Sequence, residues 1–232
     1  MQRFNELNKI QFHIVKALFL RDGQRFAELN AKDVSNDHFS YHLRKLTKDG
    51  YIHKDDAGNY HLTTKGKTAA LFLDTQDQKY ISQGFVACRV VLCRDNNGVK
   101  EYLIQRRSKV PFKGYLAEPG GKILWGETVV ESAQRNMFEQ TGLECDMELK
   151  GQIHIHDLYD NNIVQDKFFF VLKARVVSGT LQDSGPTGTN HWMTEAEILQ
   201  DPKVHKGVAE IHKIAAANDF SFCEVTHTTT DY

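Results

Sequence analysis

Cysteine is scarce in this chain: Cys88, Cys93, Cys145 and Cys223 are the only four, and none has a partner at the short spacing of a zinc or dithiol redox motif. A disulfide framework is therefore not expected, and reduced thiols in a cytoplasm are the simplest account. Proline is equally sparse, with four residues in 232, and no internal repeat or low-complexity tract is present. That excludes a solenoid and a disordered, Pro-rich scaffold. Charge of one sign is missing too, since 29 Lys and Arg face 30 Asp and Glu, so the chain is neither a polybasic coat nor an acidic tail. No apolar run reaches membrane length. The stretch from Phe12 to Leu20 is interrupted by His13 and Lys16 and lacks a cleavage site, which makes it a helix and not a signal peptide.

What remains is ordinary globular composition, 41% hydrophobic and 25% charged, in a chain long enough for two compact units. The polar run Asp74-Thr75-Gln76-Asp77-Gln78-Lys79 is the natural joint. We expect one domain over residues 1–74, a linker over 75–82, a second domain over 83–218 and a polar, frayed tail over 219–232.

The most specific pattern lies in the second unit. Gly121 is followed after five residues by Glu127 and after seven more by Arg135-Asn136-Met137-Phe138-Glu139-Gln140, then Gly142-Leu143, with Pro119-Gly120 in front. Residues 127–141 contain no Gly or Pro, and Val130, Ala133, Met137 and Phe138 give an apolar stripe, so a helix is predicted that Gly142 ends. Arg135, Asn136, Glu139 and Gln140 are expected on its other face. Taken alone, Glu127, Glu131, Arg135 and Glu139 at four-residue spacing would also suit a solvated ion-pair ladder.

The register resembles the box of the Nudix superfamily, G-x5-E-x7-R-E-U-x-E-E-x-G-U with U aliphatic. The resemblance implies an α/β/α sandwich with a mixed sheet. It also implies bound Mg2+ or Mn2+ and a substrate made of a nucleoside diphosphate linked to another group, attacked by water at phosphorus. Carried onto this chain, Glu139 is the main metal ligand, helped by Glu127, by Gln140 through its amide oxygen and by the Gly121 carbonyl. Glu139, Glu127 and Arg135 form the catalytic set. Gly120, Gly121, Arg106, Arg107 and Trp192 are the ligand-binding candidates, with Arg107 and Lys109 read equally well as surface charge. The departures are chemical. Asn136 and Gln140 stand where the family has carboxylates, and Ser184 to Trp192, where many members keep a further glutamate, holds no acid. Magnesium favours charged oxygen ligands, so metal binding should be weakened. Glu118, Asp157 and Asp160 are the acids that could compensate.

Around the box, Phe85–Cys93 and Glu101–Arg106 read as a hairpin closed by Asp95-Asn96-Asn97-Gly98, and Lys167–Leu172 as a buried strand. His154 and His156 point the same way from one strand, but no third metal ligand stands at a telling spacing, so they read as a half-exposed strand face. Lys206–Ala217 is expected as a last helix, with Val208, Ile211, Ile214 and Ala215 inward.

The first unit has another character. Helices are expected over Leu7–Leu18, around Arg25–Leu29 and from Ser35-Asn36 to Gly50, followed by a hairpin at Tyr51–Lys54 and Tyr60–Leu62 and a helix capped by Thr64. This layout, with Phe39-Ser40-Tyr41-His42-Leu43-Arg44-Lys45-Leu46 leading to Gly50-Tyr51-Ile52, resembles winged helix-turn-helix domains. The resemblance implies DNA contact by Asn36, Ser40, Tyr41, Arg44, Lys45 and Lys54; protein docking is the competing use of such modules. Residues 1–75 carry 12 Lys or Arg against 9 Asp or Glu, and the rest 17 against 21, a modest lean in the direction DNA binding requires. Winged domains commonly pair, so a homodimer or higher even oligomer is expected. Together the halves suggest a transcriptional regulator responsive to a nucleotide metabolite, with ADP-ribose or a related nucleoside diphosphate sugar as leading ligand. The alternative is an active Nudix hydrolase with the winged helix as a dimerisation or docking element.

Overall fold

A computed structural model describes residues 7–30, 34–74, 79–80 and 83–229. The chain divides into two compact units, Met1–Ser82 and Gln83–Tyr232. Most of the expected linker, residues 75–78 and 81–82, lies outside the described residues.

The first unit is built of α1 (Lys9–Leu20), α2 (Phe26–Leu29), α3 (Asn36–Lys48), the hairpin β1 (Ile52–Lys54) and β2 (Tyr60–Leu62), α4 (Thr64–Ala70), and the short pair β3 (Leu73–Asp74) and β4 (Lys79–Tyr80). Local chemistry sets the helix ends. Asn8 and Gln11 form a capping box on α1, the Ser35 side chain accepts from the His38 amide on α3, and Thr63 accepts from the Gly66 amide on α4. The α4 cap thus falls one residue before the expected Thr64. Phe12, Ile14, Val15, Leu18, Leu29, Phe39, Leu43 and Leu46 meet in one core.

In the second unit β5 (Phe85–Asn96) turns into β6 (Val99–Arg107) through Asn97 and Gly98, both at positive φ, as a two-residue type I′ hairpin requires. Then come β7 (Leu116–Ala117), β8 (Gly120–Lys122), α5 (Val129–Thr141), β9 (Leu143–Tyr159), β10 (Asn162–Gly179), β11 (Ser184–Gly185), β12 (Gly188–Thr194), α6 (Glu195–Gln200), α7 (Val208–Ala216) and β13 (Ser221–Thr228). The sheet order is β11-β12-β6-β5-β10-β9-β13, with β7 on β6 and β8 on β5; β5/β10 and β9/β13 are parallel and the other pairs antiparallel.

Period-two alternation sends alternate residues of each strand to opposite layers. Cys88, Val90, Leu92 and Leu103 pack with Ala133 and Met137 of α5, while Ala87, Val91, Ile104, Ile153, Ile155, Phe169 and Val171 pack with Ile198 of α6 and Val208, Ile211 and Ile214 of α7. Two expectations are corrected here. The described part of the expected tail, residues 219–229, is not frayed, because Ser221–Thr228 adds a parallel edge strand to β9; residues 230–232 lie outside the described residues. Its alternation, with Cys223, Val225 and His227 more enclosed than Phe222, Glu224 and Thr226, is a strand signal that polarity concealed. Helix α5 is also rotated from the expected stripe: Val130 and Phe138 are exposed, and Ser132, Asn136 and Gln140 are buried beside Ala133 and Met137.

Candidate functional site

Helix α5 begins with Thr128 capping Glu131 and ends on left-handed Gly142. Beside it β8 brings Gly120 and Gly121 against β5, where Gly120 opposes Arg89 and Gly121 opposes Cys88. Gly120, at φ +150° against backbone, requires glycine, and a side chain on Gly121 would displace Asn136. A Cβ on Gly120 would lie 2.2 Å from the Cys88 carbonyl oxygen, and one on Gly121 2.3 Å from the Asn136 amide oxygen.

This closeness explains where the two box amides go. Gln140 Nε2 donates to the Gly120 carbonyl at 2.8 Å and to Asn136 Oδ1 at 3.2 Å, while its Oε1 accepts from the Gly120 amide at 3.3 Å. Asn136 Nδ2 donates to the Ser132 carbonyl at 2.8 Å. The expected outward face shared with Arg135 and Glu139 is therefore corrected. Gln140 turns inward because an amide, with donor and acceptor together, can satisfy both the carbonyl and the amide of Gly120 as a carboxylate cannot, and Asn136 joins Gln140 to the Ser132 carbonyl of the same helix.

Glu127 is engaged as well. Arg135 Nε and Nη2 grip its two oxygens at 2.5 and 2.9 Å, and the Leu124 amide adds a third bond at 2.9 Å. The guanidinium first and that backbone amide second hold the Glu127 carboxyl at about 2. Glu139 keeps its carboxylate largely in solvent, 3.5 Å from Arg135.

The remaining candidates separate. Arg106 pairs with Asp201 at 2.6 Å and donates to the Gly114 carbonyl at 2.9 Å, so its charge is already matched. Arg107 is half-buried, donates to the Pro111 carbonyl at 3.2 Å, and leaves its buried Nε without a hydrogen bond among the described residues. Burial, and then the neighbouring Arg89 charge, lower it to about 10. Trp192 is half-buried on the α5 side of the sheet with the Arg94 guanidinium 4.4 Å over its ring. The acids considered as substitutes do not reach α5. Asp157 and Glu118 are buried toward α7, against Lys167 and His227 in one case and 3.3 Å from His212 in the other, and Asp160 sits in the β9–β10 turn.

Sequence reasoning missed the buried group on the α7 side. Asp157 takes Lys167 Nζ on one oxygen and His227 Nδ1 at 3.1 Å on the other, and His205 Nε2 lies 3.3 Å from Lys167 Nζ. Burial brings Lys167 down to about 8 against the pull of Asp157, and burial drives His205 well below its usual value. Glu118, buried with neither oxygen hydrogen-bonded among the described residues, is pushed up by that burial. A polar residue on the inward phase of a strand was the available signal; His227 and Asp157 both occupy it.

In the first unit, Asn36, Tyr41, Arg44, Lys45 and Lys54 are exposed and Ser40 is half-buried. Asn36 accepts from Asn30 at 2.9 Å and Lys45 pairs with Asp49 at 3.1 Å. A groove of about 560 Å³ runs beside α3, lined by Ser40, Arg44, Lys48, Lys54 and Tyr60 among others.

A family model for the NUDIX domain matches residues 85–213, and the chain belongs to the Nudix family. A MutT protein from Bacillus halodurans is 22% identical, with 62% of this chain and 90% of that chain covered at a TM-score of 0.51. The NUDIX domain of Shewanella oneidensis NrtR, crystallised with ADP ribose, is 17% identical over 58% of this chain and 87% of that chain, TM-score 0.49. A MutT NUDIX hydrolase from Burkholderia pseudomallei is 21% identical over 57% and 98%, TM-score 0.48.

Nudix hydrolases generally use divalent ions such as Mg2+ or Mn2+. The donors beside β8 do not suit a cluster of such ions. They offer Glu139, itself 3.5 Å from Arg135, while Glu127 is held by Arg135 and Gln140 is closed on Gly120. Hard cations with octahedral demands need more anionic oxygen than that.

Proposed function

We propose that this protein binds a nucleoside-diphosphate-type ligand in its Nudix domain, with weakened or lost hydrolysis, and uses the binding to regulate a DNA-binding domain at its N-terminus. The observation that carries the reading is the closed amide pair: Gln140 and Asn136 satisfy β8 and α5 where metal-binding carboxylates would stand. Phosphoryl transfer depends on cations that neutralise developing charge, so a box shut in this way favours retention of a ligand over its cleavage. Arg107, with a buried donor unspent, is the side chain best prepared for a phosphate oxygen.

The first unit supports a winged-helix reading through its element order and through Arg44, Lys48 and Lys54 beside one groove. Side chains on α3 would enter the major groove while these cations meet phosphates. The domain limits are 1–74 and 83–218, extended by the strand to residue 228. A net charge of only +3 over residues 1–75 makes a homodimer the natural DNA-binding form. Regulation requires that ligand prefer one of two arrangements of the full chain.

The test uses the full chain. Titration calorimetry with ADP-ribose and other nucleoside diphosphate derivatives is run beside a phosphate-release screen in Mg2+ and Mn2+. Binding without turnover, together with a ligand-dependent change in DNA affinity, is the expected result. Turnover abolished by Glu139→Gln would instead establish an active hydrolase, and absence of binding would end the regulator reading.

A further inference from the structure

The strand face that carries His154 and His156 gains from the fold what the sequence did not offer. Antiparallel pairing of β9 with β10 puts Asp166 opposite His156, and parallel pairing of β9 with β13 puts Glu224 opposite His154. Because Ile153 and Ile155 point into the α7 layer, the two imidazoles stand on the other face of the sheet. There Asp166 Oδ1 lies 2.8 Å from His154 Nε2 and 3.7 Å from His156 Nε2. Zinc with nitrogen and oxygen ligands at 2.0–2.2 Å, arranged tetrahedrally, separates neighbouring donor atoms by about 3.4 Å. The two distances bracket that value.

The second ring nitrogen of His154 is also accounted for. Nδ1 faces Glu224 Oε1 at 2.8 Å, and the ring stacks on Phe168 with centroids 3.9 Å apart and planes 9° apart. A neutral imidazole has one N–H and cannot donate to carboxylates on both sides. Either it carries a full charge, or a cation takes the place of the proton on Nε2 while Nδ1–H donates to Glu224. The second arrangement is the carboxylate–histidine–metal relay that orients metal-bound imidazoles.

We propose that His154, His156 and Asp166 bind a divalent transition-metal ion, zinc being the probe ion, through Nε2, Nε2 and Oδ1, with Glu224 holding His154 in the required tautomer. Imidazole with a single carboxylate suits zinc and its late first-row neighbours better than magnesium. His156 and Asp166 are partly open to solvent, which leaves a coordination position for water. None of the three donors belongs to the α5 box, and the ion would tie β9 to β10 beside Gly84, where a Cβ would lie 2.6 Å from Asp166 Oδ1.

Full-length protein stripped with a chelator is titrated with Zn2+ against a chromophoric zinc indicator, and Co2+ is added separately to read the visible d–d bands of the bound ion. One ion per chain is expected. His156→Ala and Asp166→Asn, both at partly exposed positions, should each weaken it at least tenfold, and Glu224→Gln about tenfold to a hundredfold. Zinc should raise the wild-type melting temperature and fail to do so in Asp166→Asn, while circular dichroism verifies that each variant is folded. Undiminished binding in both His156→Ala and Asp166→Asn would place the ion elsewhere and overturn the proposal, as would the lack of any stoichiometric zinc binding by the wild type. A variant that does not fold is replaced by the Co2+ spectrum of the wild type, in which the absence of bands from imidazole-bound cobalt overturns it equally.

Discussion

Gln140→Glu restores the family carboxylate, and it should destabilise the protein unless a cation is supplied. In the wild type the Gln140 side chain is buried, and its Nε2 serves the Gly120 carbonyl at 2.8 Å and Asn136 Oδ1 at 3.2 Å. A carboxylate in its place has no donor for either oxygen and keeps only the 3.3 Å bond from the Gly120 amide. Each buried acceptor that loses its donor costs about 1–3 kcal/mol, so the two together amount to roughly 2–6 kcal/mol. For a domain of this size each kcal/mol moves the midpoint by about 2–4 °C. In chelator the melting temperature should fall by roughly 5–20 °C, and millimolar Mg2+ or Mn2+ should recover part of the loss, because the ion then faces two box carboxylates. The pH dependence has a definite sign. Burial among carbonyl oxygens raises the folded-state value of the new carboxyl, so its protonated form, which can again donate to Gly120, is favoured in the fold. The deficit should therefore be smallest at acid pH and grow as the carboxyl ionises. Thermal melts of wild type and variant at pH 5 and pH 8, with chelator and with metal, provide the measurement. A variant that melts with the wild type in chelator at pH 8 would show that the amide pair does not close the box.

Asp157→Asn should lose about 3–5 kcal/mol in urea denaturation, because Lys167 stays buried without its anion; a loss under 1 kcal/mol would contradict that arrangement. His205 has a folded-state value below its unfolded one, so the unfolded chain takes up the proton first. Its stabilising contribution is complete above about pH 6.5 and falls by roughly 1.4 kcal/mol per pH unit below it. His61 and His154 are shifted the other way, so the measurement is the difference between wild type and His205→Gln across pH 5–7. Cys145 is buried and pushed up to about 11, so iodoacetamide at pH 8 should spare it in the folded protein and modify it in urea, as read by peptide mass spectrometry. Glu127→Gln and Arg135→Gln should each loosen the segment between β8 and α5, with the double variant little worse than either single one, as hydrogen exchange at Leu124 would record.

Whether a feature of this protein can be read from its residues alone depends on how local its cause is. The α5 helix, its Gly142 stop, the Asn97-Gly98 hairpin and the α7 stripe follow from capping, left-handed backbone and periodicity over a few residues, so they can be read from the chain alone. The Nudix register of Gly121, Glu127, Arg135 and Glu139 is likewise a spacing within one loop and helix. What a side chain does once placed is decided by neighbours far along the chain. Asn136 and Gln140 have nothing in their own helix to show that they would turn toward β8; only the approach of the Gly120 and Gly121 backbone makes buried amides preferable to exposed ones. Arg106 finds Asp201 across 95 residues and is removed from the list of free cations. Ser221–Thr228 reads as polar tail until β9 offers an unpaired edge, because edge-strand pairing is a property of the sheet rather than of the segment. His154 and His156 were visible as a pair, yet Asp166 and Glu224 became their companions only through strand register. The tertiary structure alone sets that register, since a slip of one residue would turn each of these side chains to the other face.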